Sequence, residues 1–145
     1  MLNDAWPGRA RRTAEGSPAA WMRRGTALGR RVYGGAFPKL VRNVEALHPD
    51  LARWMIEQGY GRVLGRRGLP AAAREVIAVA VLAAGGWERQ LVSHLLGAAR
   101  FGAGRATIRA AWRTGARHAA PGRQARLERA WTTAFPAGRG APAGG

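Results

Sequence analysis

The fold is decided by residues 69–101, LPAAAREVIAVAVLAAGGWERQLVSHLLGAARF. Residues 76–82 are apolar on nearly every side of a helix, which predicts a helix at the centre of a packed domain. Gly85 and Gly86 end this helix, and residues 87–101 place leucines and a phenylalanine at helical spacings. The stretch therefore predicts a tight antiparallel helical hairpin.

Two ionisable residues fall inside this apolar hairpin, Glu75 in its first helix and His94 in its second. At about 1.5 Å per residue, Glu75 lies roughly 15 Å before the turn and His94 roughly 12 Å after it, at similar height. Trp87, Gln90 and His94 share one stripe of the second helix. Whether Glu75 and His94 meet depends on the rotation of each helix about its axis.

Composition bounds the class of protein. A chain of 145 residues suits one domain with a single core. The net charge of +16 divides into +5, +6 and +5 over residues 1–31, 32–112 and 113–145. A nucleic-acid interface needs a basic stripe interleaved with aromatic residues. The even spread of charge argues against nucleic acid as a partner. A basic nucleic-acid-associated protein is therefore the weakest of the three functional hypotheses, and the other two, an enzyme and a non-catalytic binder, are described below.

Several kinds of chemistry are excluded by what the sequence lacks. It has no cysteine, which excludes disulfides, cysteine-ligated metals and thiol catalysis. Its three histidines are far apart and give no metal-site spacing, so no metal and no cofactor are expected. The first residues have no signal-peptide core, and the longest apolar run is shorter than the roughly 20 residues that span a bilayer. We expect a cytoplasmic protein without a membrane partner.

The remaining sequence predicts an all-α domain over residues 17–136, between an Arg-rich disordered tail (1–16) and a second disordered tail (137–145). Helical periodicity recurs along the domain and no strand alternation is present. The predicted helices outside the hairpin run from Ser17-Pro18 to about Val32, from Phe37 to about Leu47, from His48-Pro49-Asp50 onward with Leu51, Trp54, Met55 and Tyr60 on one side, from about Arg105, and from Pro121.

The apolar surface of the hairpin exceeds what one small domain can cover. Trp54, Trp112 and Trp131 add further apolar area. We therefore expect a homo-oligomer that hides part of this surface.

Four segments in order carry a family resemblance: RGTALGRRVYG (24–34), YGRVLGRRGL (60–69), REVIAVAVLAAGG (74–86) and LVSHLLGAARFG (91–102). Together they resemble the carboxymuconolactone decarboxylase family over roughly residues 20–135. The resemblance implies an AhpD-like bundle of about six or seven helices that assembles into trimers or hexamers. The family contains decarboxylases of carboxylated lactones and AhpD-like alkylhydroperoxidases.

The resemblance favours the cysteine-free decarboxylase branch. The peroxidase branch is similar at Glu75 and His94 but has a cysteine pair where this chain has Trp87 and Gln90. Neither residue supports the thiol redox cycle. The implied function is a cofactor-free acid/base lyase acting on a carboxylated lactone or related small acid, with Glu75 and His94 as catalytic residues.

Substrate contacts are also implied. Arg67, Arg74 and Arg89 are near the pair in sequence, and an arginine can bind a carboxylate through two parallel hydrogen bonds. Trp87 and Gln90 complete the predicted substrate-binding set, although Trp87 also fits a packing role.

A second hypothesis is a non-catalytic member of the family, an oligomeric scaffold or a small-molecule binder. In that case His94 is a core histidine bonded to a carbonyl, and Glu75 simply favours the start of its helix. The residues alone do not separate this hypothesis from the enzymatic one.

Overall fold

The computed structural model describes residues 16–66 and 68–136, and this part of the chain is helical without strands. The predicted tails, apart from Gly16, lie outside the described residues, as does Arg67. The described part contains seven α-helices, as the all-α prediction requires. They are α1 (Pro18–Tyr33), α2 (Phe37–Glu45), α3 (Pro49–Trp54), α4 (Ala71–Gly85), α5 (Glu88–Arg100), α6 (Arg105–Ala116) and α7 (Gln124–Ala134).

Helix boundaries follow local sequence signals. The Ser17 hydroxyl accepts a hydrogen bond from the Ala20 amide at 3.3 Å, which caps α1 ahead of its first-turn proline. The His48 ring caps α3 in the same way, accepting from the Asp50 amide at 3.2 Å. Gly86 ends α4 with φ of 69°, a left-handed conformation that glycine adopts without strain. These three predicted boundaries are confirmed.

The core is centred on the predicted hairpin. Helix α4 packs against α5 and α6, and α5 packs in addition against α1 and α7. Trp112 and Trp131 lie inside this core with ring centroids 5.9 Å apart. Of the three tryptophans expected to add apolar area for an interface, only Trp54 is exposed, at 49%. The largest fully buried side chains are Val32, Val79, Leu91, Leu95, Ile108 and Leu127.

Helix α3 continues as a π-helix, Met55–Leu64, which periodicity did not predict. This π-helix packs against α1 with their backbones in contact: a Cβ added at Gly25 would lie 2.0 Å from the Ile56 carbonyl oxygen, and one added at Gly61 would lie 2.0 Å from the Trp21 oxygen. Glycine is required at both positions because any side chain would separate the helices. The close packing brings Tyr60 towards α1.

Two further expectations are wrong. The sequence predicts Leu51, Trp54 and Tyr60 on one side of the third helix, but Leu51 and Trp54 are 43% and 49% exposed whereas Tyr60 is buried. The last helix begins at Gln124 rather than Pro121, because Gly122 has φ of 82° and interrupts helical geometry.

The outer face of α4 is apolar and uncovered. Ile77 and Val81, one turn apart, are 52% and 56% exposed, and Trp87 just beyond the helix is 53% exposed. Helix α4 thus has a buried face towards α5 and α6 and an apolar face towards solvent. Among the described residues, no helix has both the length and the apolar character needed to cross a membrane.

Candidate active site

The hairpin brings Glu75 and His94 into contact. Glu75 lies in the second turn of α4 and His94 in the middle of α5, and Glu75 Oε2 is 2.8 Å from His94 Nδ1. Both residues are buried, with exposed fractions of 3% and 8%. A charge-assisted hydrogen bond at this distance is strong because water competes poorly for the two groups.

Gly97, one turn after His94 on α5, makes room for the carboxylate. A Cβ built at Gly97 would lie 2.6 Å from Glu75 Oε2 and 3.2 Å from Val32 Cγ1. Such contacts are shorter than ordinary van der Waals separations, so any side chain at this position would push Glu75 away from His94. Gly97 therefore allows Glu75 to reach His94, and the sequence alone did not indicate this role.

The hydrogen bond fixes the orientation of the imidazole. An ionised carboxylate only accepts hydrogen bonds, so the Nδ1 atom of His94 carries a proton and donates it to Glu75. In the neutral ring the lone pair is then on Nε2, on the far side from the carboxylate. The Tyr33 hydroxyl lies 3.5 Å from this Nε2 atom, with the two rings edge to face.

A second tyrosine extends the chain of polar groups. The Tyr60 hydroxyl donates to the Tyr33 hydroxyl at 2.7 Å. Burial raises the pKa of both tyrosines above the ordinary value, so both hydroxyls stay protonated at neutral pH. The polar chain thus runs from Tyr60 through Tyr33 and His94 to Glu75, using α1, the π-helix, α4 and α5.

Sequence reasoning did not assign Tyr33 or Tyr60 to the site. Both residues fall inside segments that carry the family resemblance, 24–34 and 60–69, and they are the two tyrosines of the chain. Their presence in these segments was the available signal. What was missing was the packing of α1 against the π-helix, which sets the two rings 6.0 Å apart.

The predicted substrate-binding residues that the structure describes form no hydrogen bond with Glu75 or His94. The Arg74 guanidinium donates to the carbonyls of Leu64 and Arg66, and burial together with the nearby Arg66 charge lowers its pKa. Its donors therefore brace the loop before α4. The other predicted contacts are Trp87, Arg89 and Gln90, exposed at the start of α5, and Arg67, outside the described residues.

An open cleft lies elsewhere, between α6 and α7. Its volume is about 350 Å³, and it contains no histidine. Within residues 16–66 and 68–136, no group of three or more histidine, cysteine or acidic side chains is arranged to hold a metal. The residues that line the cleft are Trp112, Arg113, Ala116, Arg117, Gln124 and Glu128.

Comparison with known proteins gives one family. The family model described as "Carboxymuconolactone decarboxylase family" matches residues 49–133, more than half of the chain, including Tyr60, Glu75 and His94. A search of curated proteins finds no match.

Proposed function

The chain belongs to the carboxymuconolactone decarboxylase family, and on this premise we propose that it is a cofactor-free lyase that decarboxylates a carboxylated lactone or a related small acid. Glu75 and His94 act as its acid/base pair. The observation that carries the proposal is the buried 2.8 Å hydrogen bond between Glu75 Oε2 and His94 Nδ1. Histidine is suited to this task because it ordinarily titrates near neutral pH.

The proposed decarboxylation requires a proton donor and no cofactor. When the bond to the carboxylate breaks, its electron pair moves into the conjugated lactone carbonyl and CO2 leaves, which produces a dienolate. A proton must then reach the dienolate carbon. A protonated His94 supplies that proton, and the Glu75 carboxylate stabilises the imidazolium before transfer. The histidine regains its proton from solvent, so the site returns to its starting state.

Substrate binding is assigned to the exposed start of α5. Arg89 presents a guanidinium for the substrate carboxylate, beside Trp87 and Gln90. Arg67 is a second candidate for the same task, whereas Arg74 is engaged by backbone carbonyls. We place the enzyme in the cytoplasm.

An alternative function is a non-catalytic binder or oligomeric scaffold that keeps the pair as a structural hydrogen bond. AhpD-like peroxidase activity is not proposed, since that chemistry needs a thiolate and the sequence has no cysteine. The binder and the lyase differ in one measurable property, turnover.

The test is decarboxylation by wild-type protein and by Glu75→Gln. We expect wild type to release CO2 from at least one of a panel of carboxylated γ-lactones faster than buffer does. Glu75→Gln should lower kcat by about tenfold, because glutamine still accepts a hydrogen bond but no longer stabilises the imidazolium by charge. Glu128→Gln, the same change at an acid whose side chain is 53% exposed, should leave kcat near wild type. Wild-type rates equal to buffer across the panel would favour the binder.

We also propose that the outer face of α4 is covered by further copies of this chain. Copies that each carry a charge of +16 repel one another, so contact is favoured where a face is uncharged. From Val76 to Gly86 the chain has no charged residue, and Ile77 and Val81 are exposed there. The resemblance to a family of trimers and hexamers points the same way.

Substituting the centre of this face tests the assembly. We expect Ile77→Asp to convert a homo-oligomer into the 15.5 kDa monomer, because a buried unpaired charge is costly at an interface. Leu47→Asp is the matched control, since Leu47 is 77% exposed between α2 and α3. Sedimentation equilibrium measures both masses. A monomeric wild type, or an oligomer that survives Ile77→Asp, contradicts the assignment of this face.

A further inference from the structure

We propose that the Tyr33 hydroxyl, rather than the His94 ring, meets the substrate, and that it passes the proton of His94 to the dienolate carbon. Tyr60 is a positioning residue that orients Tyr33. The inference rests on the proposed acid–base function and adds to it the group that contacts the reacting carbon.

Burial distinguishes the four members of the polar chain. Glu75, Tyr60 and His94 have exposed fractions of only 3%, 6% and 8%, whereas Tyr33 is partly exposed. A substrate approaching the chain from solvent therefore reaches Tyr33 first. The Tyr33 ring packs edge to face against the His94 ring, 5.9 Å away centre to centre, with its hydroxyl 3.5 Å from Nε2.

The hydrogen-bonding capacity of a phenol determines where its proton points. A tyrosine hydroxyl donates one hydrogen bond and accepts two. When His94 is protonated, both of its nitrogens are donors: Nδ1 donates to Glu75 and Nε2 towards Tyr33. Tyr60 supplies the second donor to Tyr33. Both acceptor positions of Tyr33 are then filled, and its own proton must point away from His94 and Tyr60.

This arrangement gives a balanced proton transfer. The O–H proton of Tyr33 moves to the dienolate carbon while the Nε2 proton of His94 moves to the Tyr33 oxygen. Tyr33 ends neutral, and His94 ends neutral with its proton on Nδ1. In that state the Tyr33 hydroxyl rotates and donates its new proton to Nε2, which then carries a lone pair. Solvent returns one proton to His94 by the reverse path before the next turnover.

The surroundings favour a tyrosine that relays protons without ionising. Burial raises the pKa of the Tyr33 hydroxyl, which disfavours a tyrosinate intermediate and favours concerted transfer. The end of α1 that carries Tyr33 is held by Arg100, which donates to the Val32 carbonyl. The 3.5 Å separation from Nε2 is longer than a usual bond of about 2.7–3.2 Å, as is common before substrate binds.

The kinetic test compares Tyr33→Phe, Tyr60→Phe and the double variant. Tyr33→Phe keeps the ring and removes the relay, so we expect kcat to fall roughly tenfold or more with KM little changed. Tyr60→Phe should lower kcat less, because it only loosens the orientation of Tyr33. The double variant guards against misfolding, since it leaves no buried hydroxyl without its partner. Tyr33→Phe with kcat close to wild type, while His94→Asn is inactive, overturns the relay.

A second readout does not depend on turnover. In protein labelled with ¹⁵N-histidine, the neutral His94 ring should show a protonated Nδ1 and an Nε2 resonance that shifts downfield in Tyr33→Phe as its donor is lost. His48 and His118, both exposed, serve as references in the same spectrum. An Nε2 resonance unchanged by Tyr33→Phe overturns the relay whatever the activity. If wild type shows no turnover but Tyr33→Phe shifts the Nε2 resonance, the lyase proposal is overturned. Tyr33 then only forms a hydrogen bond with Nε2 of His94.

Discussion

Replacing His94 by asparagine is expected to lower kcat for decarboxylation by about a hundred- to ten-thousand-fold, the usual contribution of a positioned general acid. Asparagine is the informative choice because its amide nitrogen can still donate to Glu75 Oε2, which accepts from His94 Nδ1 at 2.8 Å in the wild type. The buried carboxylate thus keeps a partner, and the loss of the titratable ring is separated from the larger cost of leaving a buried charge unpaired.

The control for this variant is His118→Asn, the same substitution at an exposed histidine, which should leave kcat near wild type. Thermal unfolding of both variants checks that the fold is kept. Full activity in a folded His94→Asn protein would remove His94 from the mechanism, and the proposal that depends on Tyr33 would go with it.

The pair should also behave as one unit. With asparagine at position 94, Glu75 has no imidazolium to stabilise, so adding Glu75→Gln should reduce kcat little further. Additive losses in the double variant would mean that the carboxylate acts on the substrate by a route that does not pass through His94. This double-mutant cycle therefore distinguishes a Glu75 that positions His94 from a Glu75 that acts directly on the substrate.

The hairpin was predictable because its signals are local. Apolar residues with no polar face, followed by Gly85 and Gly86, specify a buried helix and its end without reference to the rest of the chain. The equal height of Glu75 and His94 follows from the rise per residue. Their contact did not follow, because it depends on helix rotation, and that rotation is set by packing of α4 and α5 against α6, α7 and α1.

The tyrosines were missed for a related reason. Tyr33 ends α1 and Tyr60 lies in a π-helix, and their hydroxyls meet only because glycines at positions 25 and 61 let the two helices touch. A search for 3.6-residue periodicity does not detect a π-helix, whose extra residue per turn rotates later side chains to another face. The same limit explains why Tyr60, inside the π-helix, does not share a side with Leu51 and Trp54, which precede it.

The packing that holds Glu75 in place predicts a large effect on stability at Gly115. A Cβ added there would lie 2.0 Å from the Ala80 carbonyl oxygen and 2.9 Å from the Ala83 Cβ, both on α4. A backbone oxygen and an alanine Cβ cannot move by changing rotamer. The two helices must therefore separate to make room. Overpacking of this kind costs about 1–3 kcal/mol and occasionally more, which exceeds the roughly 1 kcal/mol that alanine gains over glycine in a helix.

We therefore expect Gly115→Ala to lower the free energy of unfolding by about 2 kcal/mol, measured by urea denaturation followed by circular dichroism. The matched control is Gly59→Ala in the π-helix, where an added Cβ meets nothing within 4 Å. That variant should be as stable as wild type or slightly more stable, because alanine restricts the unfolded chain.

If Gly115→Ala is as stable as Gly59→Ala, α4 and α6 are not in backbone contact. Since α4 carries Glu75, separating the two helices should also lower kcat, and the two losses should appear together in the same variant.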